Sequence, residues 1–315
     1  MDRLICGLRL VVLTTSIYGC TTAPLVHQKS STDTTSPATQ AEAVVEAAGD
    51  VAHRLQGRYD DHRKDCGNMQ SPAYFCSGLL IRSTKYSDSY FSWRPNPTTA
   101  PWGVNLSWLR NDSNFADSFP TANGFIVYPT TDAQRRGFTA LNIRCVYPRD
   151  AWSTGPDRCL WHQKLMGQRL QTPLCQQHVP PVLTAKEWIA AGYGNDENQC
   201  AFGTAADNTG RAEAWWQMIE VRRIEGVHQR NELVALSWVD DDDRQLPIEA
   251  FFYRADKSGA ENTDSLASAR NDQKEFMKLT GRWVPIVRWD ATDTPQGGAT
   301  FSLRSADQLI AAPAH

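Results

Sequence analysis

Between Gln229 and Tyr253 the chain reads QRNELVALSWVDDDDRQLPIEAFFY: two apolar runs, one opening at Asn231-Glu232 and one containing Glu249, on either side of four aspartates. A carboxylate inside an otherwise apolar strand is costly to desolvate unless it is paired or used. Glu232 and Glu249 are therefore the first candidates for chemistry. Two earlier segments carry residues of complementary type. Arg82 and Ser83 stand at the polar end of the apolar run that starts at Leu79, and Ser107 lies beside Trp108 in the alternating run VNLSWL. An arginine offers a planar fork of donors that grips an anion through two bonds. A serine hydroxyl can build the wall of a pocket, and a carboxylate can stabilise positive charge that develops as a bond breaks. The bland reading of either glutamate is an ion pair, with Arg282 or Arg288 as its partner.

Other chemistries have little support. The chain has no G-x-S-x-G elbow, no H-E-x-x-H, no P-loop and no G-x-G-x-x-G. Its histidines, at 27, 53, 62, 162, 178, 228 and 315, do not cluster, and no C-x-x-C or H-x-x-x-H spacing suggests a metal, so none is expected. Asp240 to Asp243 lack the alternating ligands, central glycine and distal glutamate of a calcium loop and read as a solvated turn. A net charge of −3, from 32 basic and 35 acidic residues, gives no electrostatic case for nucleic acid.

The elements that must position these residues follow from pattern. Apolar residues at i, i+3, i+4 and i+7 from Ala41 to Leu55 predict an amphipathic helix that Gly57 would end. Strands are expected at 79–84, 104–109, 124–128 and 141–147, the last stopped by Pro148. Thr184-Ala185-Lys186-Glu187 is a capping-box pattern. A longer helix runs from about 210 to 225 with Ala212, Trp215, Trp216 and Ile219 on one face. Strands on both sides of the aspartate run, a helix at 271–279 ended by Gly281, a strand at 283–289 and a short one at 301–303 complete the set. Strands and helices without a regular βαβ rhythm predict an α+β class. A single mixed domain over 41–310 is expected, with an antiparallel or split sheet, several helices and disulfide-braced loops.

The N-terminus predicts export. Residues 1–20 carry Arg3 and Arg9, a short apolar core and the ending IYGC, which resembles the bacterial lipobox in which the cysteine is lipidated. Cys20 would then hold a membrane anchor, and the Ser/Thr-rich segment 21–40 would be a flexible spacer. The expected location is the outer membrane, as a lipoprotein, or the medium. Six cysteines remain beyond it: Cys66, Cys76, Cys145, Cys159, Cys175 and Cys200. An even count in an exported chain implies disulfides, and pairing of sequence neighbours (66–76, 145–159, 175–200) closes the shortest loops.

An arginine on an early strand, a serine on a middle one and a glutamate on a late one is the chain order of the ADP-ribosyltransferase superfamily. The segments PAYFCSGLLIRST, WRPNP, WGVNLSWLRND, NGFIVYP, NELVALSW, LPIEAFFY and TGRWVPI, spread over roughly residues 60 to 305, resemble halovibrin-like proteins. These are exported bacterial proteins described as NAD-glycohydrolases or ADP-ribosylating toxins. The resemblance implies an ADP-ribosyltransferase-like fold and NAD as a substrate, with no resident cofactor. Arg82 would grip the phosphates, helped by Ser83, Trp108 and Asn231, and Ser107 would support the nicotinamide ribose. Glu232 or Glu249 would be the catalytic carboxylate. In that superfamily a second Glu or Gln usually stands two positions before the catalytic glutamate. Arg230 stands there before Glu232, which favours water over an arginine side chain as acceptor, although a host protein stays open as a partner. The alternative is a non-catalytic envelope lipoprotein whose tryptophans form a sugar- or peptide-binding surface.

Overall fold

A computed structural model describes residues 50–68, 70–85, 92–94, 104–113, 122–139, 141, 143–150, 184–192, 202–203, 211–227, 229–235, 246–255, 264–292 and 298–308. All lie within the unit Pro37–His315. The leader with Cys20, the spacer 21–40, Cys159, Cys175, Cys200 and the aspartate run Asp240–Asp243 fall outside the described residues, and so does the side chain of Cys145.

In chain order the elements are helix α1 (50–59), β1 (Leu79–Ser83), β2 (Val104–Leu109), β3 (Asn123–Val127), helix α2 (Thr130–Arg135), β4 (Ile143–Tyr147), helix α3 (Ala185–Ala190), β5 (Phe202–Gly203), helix α4 (Arg211–Glu225), β6 (Glu232–Ala235), β7 (Ile248–Arg254), helix α5 (Ser265–Thr280), β8 (Ile286–Thr292) and β9 (Gly298–Ser302). The nine strands form one mixed sheet in the order β5-β4-β6-β2-β1-β3-β7-β8-β9. Neighbours are antiparallel except β7 and β8, which run parallel with α5 as their crossover. That βαβ unit was not expected from the pattern.

The sheet is covered on both faces. Residues of β1, β3 and β7 are buried throughout, which is why these strands are nearly continuous apolar runs. One face, with Leu80, Leu106, Trp108, Phe125, Leu233 and Phe251, packs with Trp188 of α3, Trp215 and Met218 of α4, and Ala269 and Phe276 of α5. The other, with Leu79, Ile81, Leu109, Ile126, Phe252 and Trp289, packs against Val51, Leu55 and Tyr59 of α1. Those three residues recur every four positions along α1, so they form one stripe. The helix continues through Gly57 to residue 59, because Tyr59 extends the buried stripe past the glycine.

Local signals mostly hold. Thr184 and Glu187 form the capping box: Thr184 Oγ1 accepts from Glu187 N, and the Glu187 carboxylate accepts from Thr184 N at 2.8 Å. Gly281 caps α5 with φ +69, a left-handed conformation that favours glycine. The helix itself begins six residues before the expected start, capped by Asp264, whose side chain accepts from Leu266 N at 2.9 Å. Cys66 and Cys76 are joined in a disulfide. Trp93, Trp108, Trp188, Trp215 and Trp289 are fully buried. These tryptophans belong to the core and not to a binding face.

Candidate functional site

Arg82, Ser107 and Glu232 come from segments about 25 and 125 residues apart and end on neighbouring strands. Arg82 is on β1, Ser107 on β2 and Glu232 on β6, and the sheet order runs β6-β2-β1. The β1–β2 ladder extends from Leu79↔Leu109 to Ile81↔Ser107. Beyond that point the two strands follow different partners. β1 stays with β3 as far as Ser83↔Gly124, while β2 stays with β6 from Leu106↔Leu233 to Val104↔Ala235. The sheet forks there, and Arg82 is the first residue of β1 past the branch.

Backbone direction explains what Arg82 does in the fork. The Asn231 carboxamide accepts from Trp108 N at 2.8 Å and donates to Trp108 O at 2.9 Å, so Trp108 turns both backbone groups toward β6. The N–H and C=O of one residue point to the same side of an antiparallel strand and alternate along it. Ser107 and Asn105 therefore turn theirs toward β1. Where β1 departs, the Arg82 guanidinium donates to the Asn105 carbonyl in place of a strand partner. Strand alternation starts Arg82 on the face of Leu80 and Ser107 on the face of Ile81. The bond to Asn105 brings the guanidinium back into the plane of the fork.

Gly124 makes the close approach beside it feasible. A Cβ at this position would lie 2.0 Å from the Arg82 carbonyl oxygen and 2.8 Å from the Phe252 ring. The backbone of β1 at Arg82 thus sits against β3 at a distance only glycine allows.

Glu232 is set by the bonds around it. Ser107 Oγ donates to Asn231 O at 2.9 Å. Together with the Asn231 carboxamide it clamps the start of β6 to β2. Continuing the β2–β6 register by one residue brings Ser107 opposite Glu232, and on the other side Tyr147 of β4 is paired with Glu232 directly. Buried Arg222 donates to the carbonyls of Ser113, Pro148, Val227 and Gln229, tying together the turns that follow β2 and β4 and the one that leads into β6. Burial, and the nearby charge of Arg149, lower its pKa to about 9. Arg230 pairs with Asp150 at 2.9 Å and closes the same end. Glu232 is 4% exposed, Ser107 1% and Arg82 2%.

Several expectations need correction. Glu249, 1% exposed, is held by Arg54 at 3.2 Å and Arg58 at 2.5 Å, both from α1. Its charge is spent on docking that helix. Neither Arg282 nor Arg288 takes the role proposed for it: Arg282 donates to the carbonyls of Leu246 and Ile248, and Arg288 pairs with Asp290 at 2.7 Å. Trp108 is buried in the core. Its Nε1 donates to Ser77 O at 3.0 Å, and its ring packs edge-on against Trp215 and under the Arg110 guanidinium. Asn231 bonds to both backbone groups of Trp108, and the Ser107 hydroxyl donates to Asn231 O, so both hold the strand of Glu232 to β2. Ser83 continues β1 next to Arg82, opposite Gly124.

A second polar group adjoins the fork and was not anticipated. Thr84, two residues past Arg82, donates to Asp272 of α5 at 2.6 Å and accepts from Asn123 Nδ2 at 2.8 Å. Burial raises the Asp272 pKa to about 7, the Thr84 hydrogen bond opposes that shift, and the Glu275 charge adds to it. Glu275 in turn accepts from Trp93 Nε1 at 3.2 Å. Only the i, i+3 spacing of Asp272 and Glu275 hinted at this group. Among the described residues no cluster of three or more His, Cys, Asp or Glu is placed to hold a metal, and no helix is long and apolar enough to cross a membrane. No protein-family model matches the chain, and no curated protein matches it.

Proposed function

We propose that the chain breaks the nicotinamide–ribose bond of NAD, with water as the acceptor of ADP-ribose. One observation carries the reading: Arg82, Ser107 and Glu232 stand on three adjacent strands at the branch of the sheet, while the rival Glu249 is consumed by two arginines. An ADP-ribosyltransferase-like split sheet is part of the proposal, and the fork between β1 and β2 is its support.

Each residue has a role that its chemistry allows. Arg82 can exchange its bond to the Asn105 carbonyl for a phosphate oxygen, since a charge-assisted, two-bond contact is stronger than one to a neutral carbonyl. Ser107 and Asn231 hold Glu232 at a defined height on β6. As the glycosidic C–N bond breaks, its electron pair leaves with nicotinamide, which departs neutral, and the ribose becomes an oxocarbenium ion. The Glu232 carboxylate stabilises that cation. Water adds to the anomeric carbon and loses a proton to solvent. Arg230, paired with Asp150, stands two positions before Glu232, where that superfamily usually has a second Glu or Gln, and this departure favours water over a host protein as acceptor.

Export to the envelope and lipid attachment at Cys20 belong to the same proposal. They rest on the leader-like residues 1–20 and on the Cys66–Cys76 disulfide, a bond typical of oxidising compartments. The five buried tryptophans named above are not available for the sugar- or peptide-binding alternative.

The test is incubation of the purified domain with NAD and measurement of free nicotinamide. Release is expected, and Glu232→Gln should remove it without lowering the melting temperature. No release, with or without added protein acceptors, would end the enzymatic reading. Release lost only in Glu249→Gln would move the catalytic role.

A further inference from the structure

One end of the sheet gathers more positive charge than its carboxylate neutralises. Tyr128 follows β3, and its N–H donates to Pro247 O, just before β7 and Glu249. Arg54 and Arg58 of α1 hold the Glu249 carboxylate. Arg136, at the C-terminal end of α2, places its guanidinium 4.8 Å from the centre of the Tyr128 ring. Phe138 stacks on Tyr128 at 5.6 Å, and the Arg282 guanidinium lies 4.0 Å from the centre of the Phe138 ring. Burial and the Glu249 charge raise the Tyr128 pKa, while the charges of Arg136, Arg54 and Arg282 oppose that rise, so these charges surround one phenol.

Arg282 is engaged by the Leu246 and Ile248 carbonyls and is left out of the balance. The three guanidiniums of Arg54, Arg58 and Arg136 then face the one carboxylate of Glu249, an excess of two positive charges in a chain whose net charge is −3. Arg136 pairs with no carboxylate among the described residues, whereas Arg135 beside it is paired with Asp132. Arg58 also keeps a buried Nε–H that has no acceptor among the described residues. We propose that Arg54, Arg58 and Arg136 form a binding site for a compact phosphoryl oxyanion, with the Tyr128 hydroxyl as a further donor. A guanidinium presents its donors in a fork that matches two phosphate oxygens. The Tyr128 and Phe138 rings are taken up by one another and by Arg136 and Arg282. The patch therefore offers charge and not a surface on which a base could stack. It also lies away from the fork of the sheet. Phe125, the strand partner of Arg82, stands three residues before Tyr128, about 10 Å along the strand. The site does not rest on the NAD reading.

The test is calorimetric titration of the purified chain with inorganic phosphate at constant ionic strength in chloride, using Cys20→Ser so that no lipid can be attached. Binding is expected. Arg136→Gln and Arg54→Gln should each weaken it by about 5- to 10-fold, the effect of losing one charge-assisted bond at a partly exposed site. Glu249 keeps Arg58 when Arg54 is replaced, so its charge is not left alone. Arg135→Gln removes a cation from the same helix end, but one already paired, and should leave the affinity unchanged. A second arm offers phosphatidylglycerol vesicles, with phosphatidylcholine vesicles as the control, and reads co-sedimentation. Phosphate binding that depends on Arg136 assigns the site to a soluble phosphate. Vesicle binding that depends on Arg136, without binding of free phosphate, assigns it to a lipid headgroup. No binding in either arm overturns the proposal. A loss in Arg135→Gln equal to that in Arg136→Gln also overturns it, because net charge alone would then explain the affinity.

Discussion

Glu232 and Glu249 look alike in sequence, yet the two regions that hold them are built in different ways. Glu249 lies on β7, and α1 reaches over the sheet to place Arg54 and Arg58 on its two oxygens. Glu232 lies at the start of β6, clamped by Ser107 and Asn231 and opposite Tyr147, next to the strand from which β1 diverges. The first is a charge neutralised to hold a helix. The second is a charge positioned where the sheet opens. Both carboxylates are buried, so burial alone does not separate them; what the structure adds is that Glu249 is held by two arginines of α1.

The comparison can be broken by exchanging effects between the two sites. The largest is expected for Glu232→Gln, which should lower nicotinamide release by about 10²- to 10³-fold, the size found when one preorganised electrostatic group is lost. Its thermal stability should stay near that of the parent. Glu249→Gln should do the reverse. Removing one partner of a buried ion pair leaves the other charge uncompensated and costs about 3–5 kcal/mol, and because Arg54 is partly exposed the lower end is expected here. Chemical denaturation measures that loss, while turnover per folded molecule should hold. A Glu249→Gln protein that is stable but inactive would reverse the assignment.

Asn231→Ala tests the clamp. It removes two side-chain bonds to the Trp108 backbone in a residue with no exposed surface. A loss of roughly 2–3 kcal/mol is expected from leaving a buried N–H and C=O unsatisfied, together with lower activity through misplacement of Glu232. A variant that loses stability but keeps full activity per folded molecule would show that the clamp does not position the carboxylate.

The smallest effect concerns Asp272, on the Thr84 side of the fork. Its folded-state pKa of about 7 lies above the ordinary 3.8, so the native protein holds this proton more tightly than the unfolded chain does. The stabilisation from that proton is complete below about pH 4 and is lost as pH rises through about 7. Asp272→Asn keeps an oxygen acceptor for Thr84 and removes the titration. Relative to the parent, it should therefore gain stability between pH 5 and pH 8, by roughly 2–3 kcal/mol from the linkage relation. Melting curves at the two pH values decide it. A difference that does not change with pH would mean that Asp272 is ionised throughout.

Much of the fold was legible from residues close together in sequence. The apolar runs of β1, β3 and β7 announced strands because a fully buried strand must be apolar on both faces, and β2 was announced by its alternation. The Thr184–Glu187 capping box, the Gly281 cap and the Cys66–Cys76 loop involve groups ten or fewer residues apart, so chain geometry alone constrains them. The start of α5 at Ser265 was missed because its first turns are polar, and the Asp264 cap rather than an apolar stripe begins them. Arg82, Ser107 and Glu232 could be singled out by type, because strand residues of that chemistry need a reason to be there. Their placement on adjacent strands could not be read. It depends on β6 entering the sheet beside β2, and on β1 turning away after Ile81. Nor could the sequence choose between the glutamates. The arginines that satisfy Glu249 are 195 and 191 residues away from it along the chain, and Coulomb attraction acts on distance in space, which only the folded chain defines.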